Sequence, residues 1–453
     1  MSKAITIRKG LNIRLIGEAE KVLSPTPAPT SFSIQPADFH GVIPRLSIKE
    51  GDKVQAGDPL FRDKYNENIL FCSPCSGVVT SVLRGEKRRI LEIILKPDPE
   101  TSYKTLKTIN TGSANRKEVI DTMLASGLWP FIRQRPFSVM ADPNTTPKAI
   151  FISGFDSAPL APDFDFVLHN REQEFQDGLN ALTKLTTGKV YLTLKHGNAH
   201  DNALKNAKGI EINTIKGPHP AGNVGVQIHH TMPVNKGDVI WYVHVQDVAL
   251  IGRILTSGKF DTSRLIAVTG SEVKNPKYVK LPVGASVTEV LQGNISNSKV
   301  RVISGNPLTG IQIPEDGHVR FYQHQITVLP EITDDQFLIT KGWLAPGFDK
   351  FSASRTFPTW LMPGKKYRLN TGNNGEKRAF VISGQYEQVF PFDIFPVHLL
   401  KACITHDLDG MERLGIYEVD PEDFALCEYV CTSKINSQEI VREALDLVRK
   451  ECV

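Results

Sequence analysis

Ser126-Gly-Leu-Trp-Pro-Phe-Ile-Arg-Gln-Arg-Pro-Phe-Ser138 lies between a helix-like run, Arg116 to Leu124, and a buried-strand run, Lys148 to Ser153. In α/β nucleotide-binding sheets such junctions are glycine-rich, because only bare backbone approaches a phosphate closely. This junction has one glycine at its start, followed by two arginines, two prolines, a tryptophan and two phenylalanines. It cannot wrap an anion. It offers flat apolar faces and a fixed positive charge to something planar and apolar.

Outward from this loop the pattern is α/β. Ala149-Ile-Phe-Ile-Ser153 is a short continuous apolar run, Phe175, Leu179, Leu182 and Leu185 recur at helical spacing, and Lys189-Val-Tyr-Leu-Thr-Leu194 is a strand again. Strand, helix, strand at this spacing predicts a parallel unit and a Rossmann-like α/β domain over 114–255. Phe155-Asp-Ser-Ala-Pro-Leu-Ala-Pro162 would follow the first central strand, at the carboxyl edge where ligands bind. Asp156 is therefore a candidate polar contact, or else a cap or turn residue. Lys216-Gly-Pro-His-Pro-Ala-Gly222 is a stiff loop that makes His219 a second candidate, whereas His229 and His230 read as solvated.

The flanking segments are of other kinds. Ser24-Pro-Thr-Pro-Ala-Pro-Thr30 has polyproline character. Two glycine-aspartate turns, Gly51-Asp52 and Gly57-Asp58, and a Ser73-Pro74 corner resemble the barrel of biotinyl and lipoyl carriers, predicting such a domain over 1–100. A carrier's modified lysine lies eight residues before that proline; Asn66 stands there, so the barrel is expected without the carrier chemistry. Strands at Leu265–Gly270, Tyr278–Pro282 and Val300–Ser304 surround a short helix near Ser286–Leu291, an order that resembles the β-grasp (ubiquitin-like) domain, here 256–330. Residues 331–390 read as a β-rich segment packed on the barrel, with a hairpin tip at Asn370–Glu376. Residues 391–453 read as a helical domain, with Asp420-Pro-Glu-Asp423 opening one helix and Asn436 with Glu439 capping another.

Composition excludes several classes. The 453 residues suffice for about three domains. With 53 basic and 49 acidic residues, the net charge of +4 does not point to nucleic acid. The longest apolar run, Val239 to Leu255, is interrupted by His244, Gln246, Asp247 and Arg253, so no membrane helix is expected; no signal peptide opens the chain, and a cytosolic location follows. Six cysteines suit a reducing compartment. Cys72-Ser-Pro-Cys75 sits at a β corner and reads as buried, not redox-active. Cys403, Cys427 and Cys431 are too scattered for an iron–sulfur cluster. Arg84, Lys87, Arg88 and Arg89 read as the solvated face of a hairpin.

As a whole the chain resembles the flavin-binding, NADH-oxidising subunit of respiratory complex I and the Rnf C subunit. More closely it resembles the NqrA family, which supplies one subunit of the Na+-translocating NADH:quinone reductase. The strings that carry this are Ile5-Thr-Ile-Arg-Lys-Gly-Leu11, Ser126–Ser138, Leu185-Thr-Thr-Gly-Lys-Val190, Gly217-Pro-His-Pro-Ala-Gly222, Gly342-Trp343 with Pro346-Gly347, Arg413-Leu-Gly415, and Glu422-Asp-Phe-Ala-Leu-Cys427. The glycine loop that cradles flavin in the complex I relatives is replaced here by Ser126–Ser138, and their acidic nucleotide stretch by Gly154-Phe-Asp-Ser-Ala-Pro159. The resemblance implies a peripheral subunit on the cytoplasmic face of the bacterial inner membrane, without a tightly bound cofactor of its own. NADH, flavins and iron–sulfur would belong to partner subunits of a six-subunit complex, chiefly a membrane-embedded flavin-bearing one, with ubiquinone or menaquinone as substrate. On this reading Trp129, Phe131 and Phe137 flank a quinone ring, Arg133 and Arg135 hydrogen-bond its oxygens, and Pro136 with Pro130 pre-organises the loop, with Asp156 and His219 nearby. The alternative is that the aromatics pack the vacated flavin space while both arginines face solvent or pair with acids. A docking subunit without a quinone site, or an independent soluble flavoprotein, also stays open.

Overall fold

Apolar runs alternating with amphipathic helices between Arg116 and Ser257 produce the central layer of the protein. The computed structural model describes residues 4–25, 28–197, 203–296, 299–332 and 344–452. The central sheet has seven strands, in the order Ala4–Thr6, Glu211–Lys216, Lys189–Lys195, Ala149–Ser153, Ile240–Tyr242, Arg133–Arg135 and Val139–Met140. The first five run parallel and the last two join antiparallel. Ile150, Phe151 and Ile152 are fully buried, as a strand covered on both faces requires. The strand Ala149–Ser153 has later strands on both sides, so the order of travel reverses beside it. In open parallel sheets ligands bind outside the carboxyl ends at such a reversal.

Helices Glu172–Leu185 and Val245–Ser257 pack closely against each other. Glycine permits the approach: a Cβ on Gly178 would lie 1.9 Å from the Val248 carbonyl oxygen, and one on Gly252 1.9 Å from that of Glu174.

Two small sheets form the N-terminal unit. One contains Phe32–Ile34, Ile90–Pro97, Gly77–Arg84 and Lys53–Val54; the other contains Pro44–Leu46, Pro59–Asp63 and Leu70–Cys72. The two glycine-aspartate turns form alike. Gly51 and Gly57 take φ of 88° and 101°, while Asp52 and Asp58 accept the backbone N–H of Lys49 and Gln55 at 2.8 Å. Cys72 and Cys75 are buried, and burial pushes both thiols up to about 12. The strands before Phe32 join other layers: Ala4–Thr6 edges the central sheet, and Glu20–Leu23 edges a six-stranded sheet. That sheet continues through Lys277–Leu281, Arg264–Thr269, Gln325–Pro330, Val300–Ser304 and Ile311–Ile313.

The expected β-rich segment departs from the reading. Among the described residues, no strand forms between Pro330 and the helix Tyr386–Val389. Apart from a few local turns, its backbone groups bond distant partners: Tyr367 N–H to Arg14, Thr371 N–H to Pro330, and Arg378 N–H to Ser433. The hairpin at Asn370–Glu376 therefore has no strands to join. Gly342 and Trp343 lie outside the described residues.

The chain ends in helices, of which Ser437–Cys452 buries Val441, Ala444, Leu445 and Val448. One apolar core joins the N-terminal sheets, the six-stranded sheet and one face of the central sheet; a second joins the C-terminal helices to Phe137, Val139 and Ile215. Gly178→Val should force the two helices apart and cost about 1–3 kcal/mol, read as a lower midpoint in thermal or urea unfolding.

Candidate functional site

The 3-10 turn Trp129–Phe131 leads into the short strand Arg133–Arg135, paired with Ile240–Tyr242 so that Arg133 lies opposite Tyr242 and Arg135 opposite Ile240. The two-residue period of a strand sends both arginines to one face. Arg133, partly exposed, lies between the rings of Tyr242 and Tyr322, 4.6 Å from each centroid. Arg135 is 1% exposed and meets carboxylates of the C-terminal unit: Nη1 is 3.1 Å from Asp423 Oδ2, and Nη2 is 2.9 Å from Glu422 Oε1 and 3.6 Å from Asp420 Oδ2.

Local structure fixes those acids. Asp420 and Asp423 form a capping box around the 3-10 turn Pro421–Phe424, with Asp423 Oδ2 accepting the Asp420 N–H at 3.0 Å. Burial pushes the Asp423 carboxyl up to about 7, overriding the pull of Arg135, and the charges of Glu422 and Asp420 push the same way. Gly225, in the first turn of helix Val224–Thr231, makes room for the pair. A Cβ there would lie 2.7 Å from Asp423 Oδ1 and 2.9 Å from Arg135 Nη2.

The aromatic residues diverge. Trp129 is fully buried, donates its indole N–H to the Ala141 carbonyl at 2.7 Å, and meets Trp241 edge-on. Phe131 stacks on Phe321 with centroids 4.8 Å apart, and Phe137 meets Tyr417 edge-on. Trp129 and Phe131 belong to one core and Phe137 to the other, so the three rings do not form the walls of one slot. Beside them Pro130, Phe321, Phe71 and Gly127 line a cavity of only about 10 Å³, room for a water at most.

At the carboxyl edge, Asp156 Oδ1 accepts the Ala158 N–H at 2.8 Å, an Asx turn, and burial raises its pKa. Burial raises the Glu422 pKa, and the charge of Asp156 adds a smaller push the same way. His219 is 5% exposed, with Nδ1 3.0 Å from the Ser157 Oγ that also accepts the Gly222 N–H. Burial lowers its pKa to about 4, leaving a neutral imidazole at neutral pH. Its backbone N–H is held by Asn12 Oδ1 at 2.9 Å. The structure thus brings Arg135 to the C-terminal acids and sets His219 against Ser157, next to Asp156, while Trp129, Phe131 and Phe137 pack in the two cores.

Several residues escaped the sequence reading. Tyr242, Tyr322, Glu422 and Asp423 complete the surroundings of the arginines; only the Asp420-Pro-Glu-Asp423 string gave a signal, and it read as a cap. His229 and His230 are not simply solvated. His229 Nδ1 lies 2.7 Å from Glu418 Oε2 while Nε2 accepts the Asp393 N–H, and His230 Nε2 bonds the Pro391 carbonyl. They tie the central layer to the C-terminal helices. Half-buried His244 with buried Asp247 and His324 offers three ligand atoms within 4.8 Å, but Arg264 Nη2 already sits 2.8 Å from Asp247 Oδ1. Although burial works to raise the Asp247 carboxyl, Arg264 and then His324 hold it low. A fixed cation in the donor set does not suit a metal ion.

An N-terminal two-sheet unit, a largely parallel α/β sheet and a further six-stranded sheet make up a multidomain α/β chain. Three family profiles match it: the NqrA N-terminal barrel-sandwich hybrid domain at residues 5–98, the NqrA second alpha/beta domain at 114–260, and the NQRA C-terminal domain at 265–314. The chain is 36% identical over 451 residues to the NqrA subunit of the Na(+)-translocating NADH-quinone reductase of Pasteurella multocida, covering 99% of this chain and 100% of that one. It is 35% identical over 450 residues to the corresponding subunit of Photorhabdus laumondii, with the same coverage. The protein belongs to the NqrA family, whose members are subunits of the Na+-translocating NADH:quinone reductase.

Arg135→Ala would strand buried carboxylates and should cost about 3–5 kcal/mol of stability at neutral pH, measured by denaturant unfolding. His219, with its folded-state pKa below the unfolded value, confers stability that is full above about pH 6.5 and lost as pH falls toward 4. The slope should amount to about 3 kcal/mol across that window and flatten in His219→Gln.

Proposed function

We propose that this chain is the peripheral, cofactor-free subunit of a six-subunit Na+-translocating NADH:quinone reductase. It takes part in reducing ubiquinone or menaquinone to the quinol, coupled to Na+ export, from the cytoplasmic face of the bacterial inner membrane. On this reading flavins, iron–sulfur and the NADH site reside in partner subunits, chiefly a membrane-embedded flavin-bearing one. The central sheet is a Rossmann-like layer and the six-stranded sheet a β-grasp unit, flanked by a carrier-type barrel and a helical tail. One observation carries the cofactor-free reading. Arg135 and the carboxylates that neutralise it fill the space against Gly225, at the edge of the sheet by the first turn of the helix Val224–Thr231.

The quinone contact in this proposal lies on the rim of that edge. Arg133 is the donor within reach of a quinone oxygen, since it is partly exposed and held by tyrosine faces instead of a carboxylate. Asp156 and the neutral His219 supply further polar contacts, while Trp129, Phe131, Pro136, Phe137 and the paired Arg135 form the rigid backing. The second reading, a docking subunit with no quinone site, is favoured by the divergence of the aromatic rings and by the pairing of Arg135.

Titration of the purified chain with a short-chain quinone, by calorimetry or ligand-observed NMR, should give saturable binding. Arg133→Ala should weaken it by about 1.5–3 kcal/mol, roughly ten-fold or more in affinity, with the thermal midpoint nearly unchanged. Equal affinity in native and variant protein moves the quinone contact away from Arg133, and no saturable binding to a chain that still assembles with its partners decides for the docking reading.

A further inference from the structure

Residues 344–367 form an irregular excursion with an unusual surface. Leu344 is 57% exposed, Phe348 56%, Trp360 49%, Leu361 64% and Met362 43%. Exposed aliphatic and aromatic side chains clustered in one segment mark a contact surface.

The segment is built to hold these side chains outward. Its base is pinned to the N-terminal stretch: Tyr367 N–H donates to the Arg14 carbonyl at 2.8 Å, and Ile16 N–H donates to that of Tyr367 at 3.0 Å. Inside the loop, buried Thr359 donates its hydroxyl to the Lys350 carbonyl at 2.7 Å, and the Lys365 ammonium bonds the Phe348 carbonyl. Gly347 lies under Phe357, where a Cβ would meet the ring at 2.1 Å. Prolines at 358 and 363 flank Thr359-Trp-Leu-Met362, which begins as a 3-10 turn, Pro358–Leu361. The apolar tip is therefore presented by a fixed scaffold.

Charge selects the partner. Between 344 and 366 the chain places Lys350, Arg355, Lys365 and Lys366 against a single acid, Asp349. Lys366 is 3.1 Å from Glu18, and the Arg355 guanidinium lies 5.2 Å from the Trp360 ring centroid. Tryptophan, leucine and methionine on a segment with four basic residues and one acid, with Arg355 beside Trp360, match an interface whose outer layer is anionic and whose inner layer is apolar. We propose that the 344–366 excursion inserts its Trp360-Leu361-Met362 tip into the headgroup layer of an anionic lipid bilayer. The protein would then hold a lipid contact of its own beside its protein partners. The inference rests on the reading of the chain as a peripheral member of a membrane complex.

The test is flotation of the full chain with vesicles of phosphatidylcholine alone and of phosphatidylcholine mixed with phosphatidylglycerol. The native chain should float with the anionic vesicles, less with the neutral ones, and be released by salt. Trp360→Ser and Leu361→Asp should each lower the bound fraction by about ten-fold, with unchanged thermal midpoints because both side chains face solvent. Arg355→Glu should weaken binding to the anionic vesicles alone. Native chain that ignores anionic vesicles, or variants that float as well as it does, overturns the proposal. Co-purification with the partner subunits is scored separately. If Leu361→Asp blocks assembly while the native chain ignores vesicles, the tip is a protein interface and the lipid contact falls. Native chain that floats but never assembles overturns the complex-subunit reading instead.

Discussion

The buried ion pairs of Arg135 organise the site. A guanidinium 1% exposed to solvent is costly unless its charge and donors are met, and here acids from a unit nearly 290 residues further along the chain meet them. The pairing constrains both sides. It ties the strand Arg133–Arg135, itself paired with Ile240–Tyr242, to the turn Pro421–Phe424. Gly225 belongs to the same constraint, since any side chain there would collide with both partners. His229 with Glu418, and Phe137 with Tyr417, extend the joint along the same boundary.

The consequence is a sheet edge closed by polar chemistry against Gly225, with apolar filling behind it. Trp129 and Phe131 occupy the space between the layers, and the remaining cavity of about 10 Å³ admits nothing larger than water. Arg133 on its two tyrosines, Asp156 in its turn and Glu422 stay partly exposed. Partly exposed groups of this kind suit contact with a small planar molecule or a neighbouring protein better than enclosure of a nucleotide. Both readings of the function draw on that feature.

Much of the fold was legible because local chemistry forced it. The glycine-aspartate turns need φ near 90° and a carboxylate acceptor, and the structure places both where the spacing predicts. The apolar run Ala149–Ser153 and the helical spacing of Phe175, Leu179, Leu182 and Leu185 hold, as does the strand Val300–Ser304. The segment after Pro330 was misread for an equally physical reason. Turn-forming residues at 370–376 signal a bend, but a hairpin also needs two strands that prefer each other, and Thr371 and Arg378 find backbone partners elsewhere.

For the site, the sequence by itself determined the residue types: a loop rich in arginine and aromatics where glycine would be needed to hold a phosphate. With one glycine at its start and bulky side chains after it, the loop's composition alone argues against a phosphate cradle. Only the tertiary structure decided what each side chain does. Whether an arginine reaches solvent, a tyrosine face or a carboxylate depends on which distant segment lies opposite, and Asp423 and Glu422 stand 288 and 287 positions away from Arg135. Local pattern carries no information across that separation, because the preference for burying a paired charge is silent about where in the chain the partner lies.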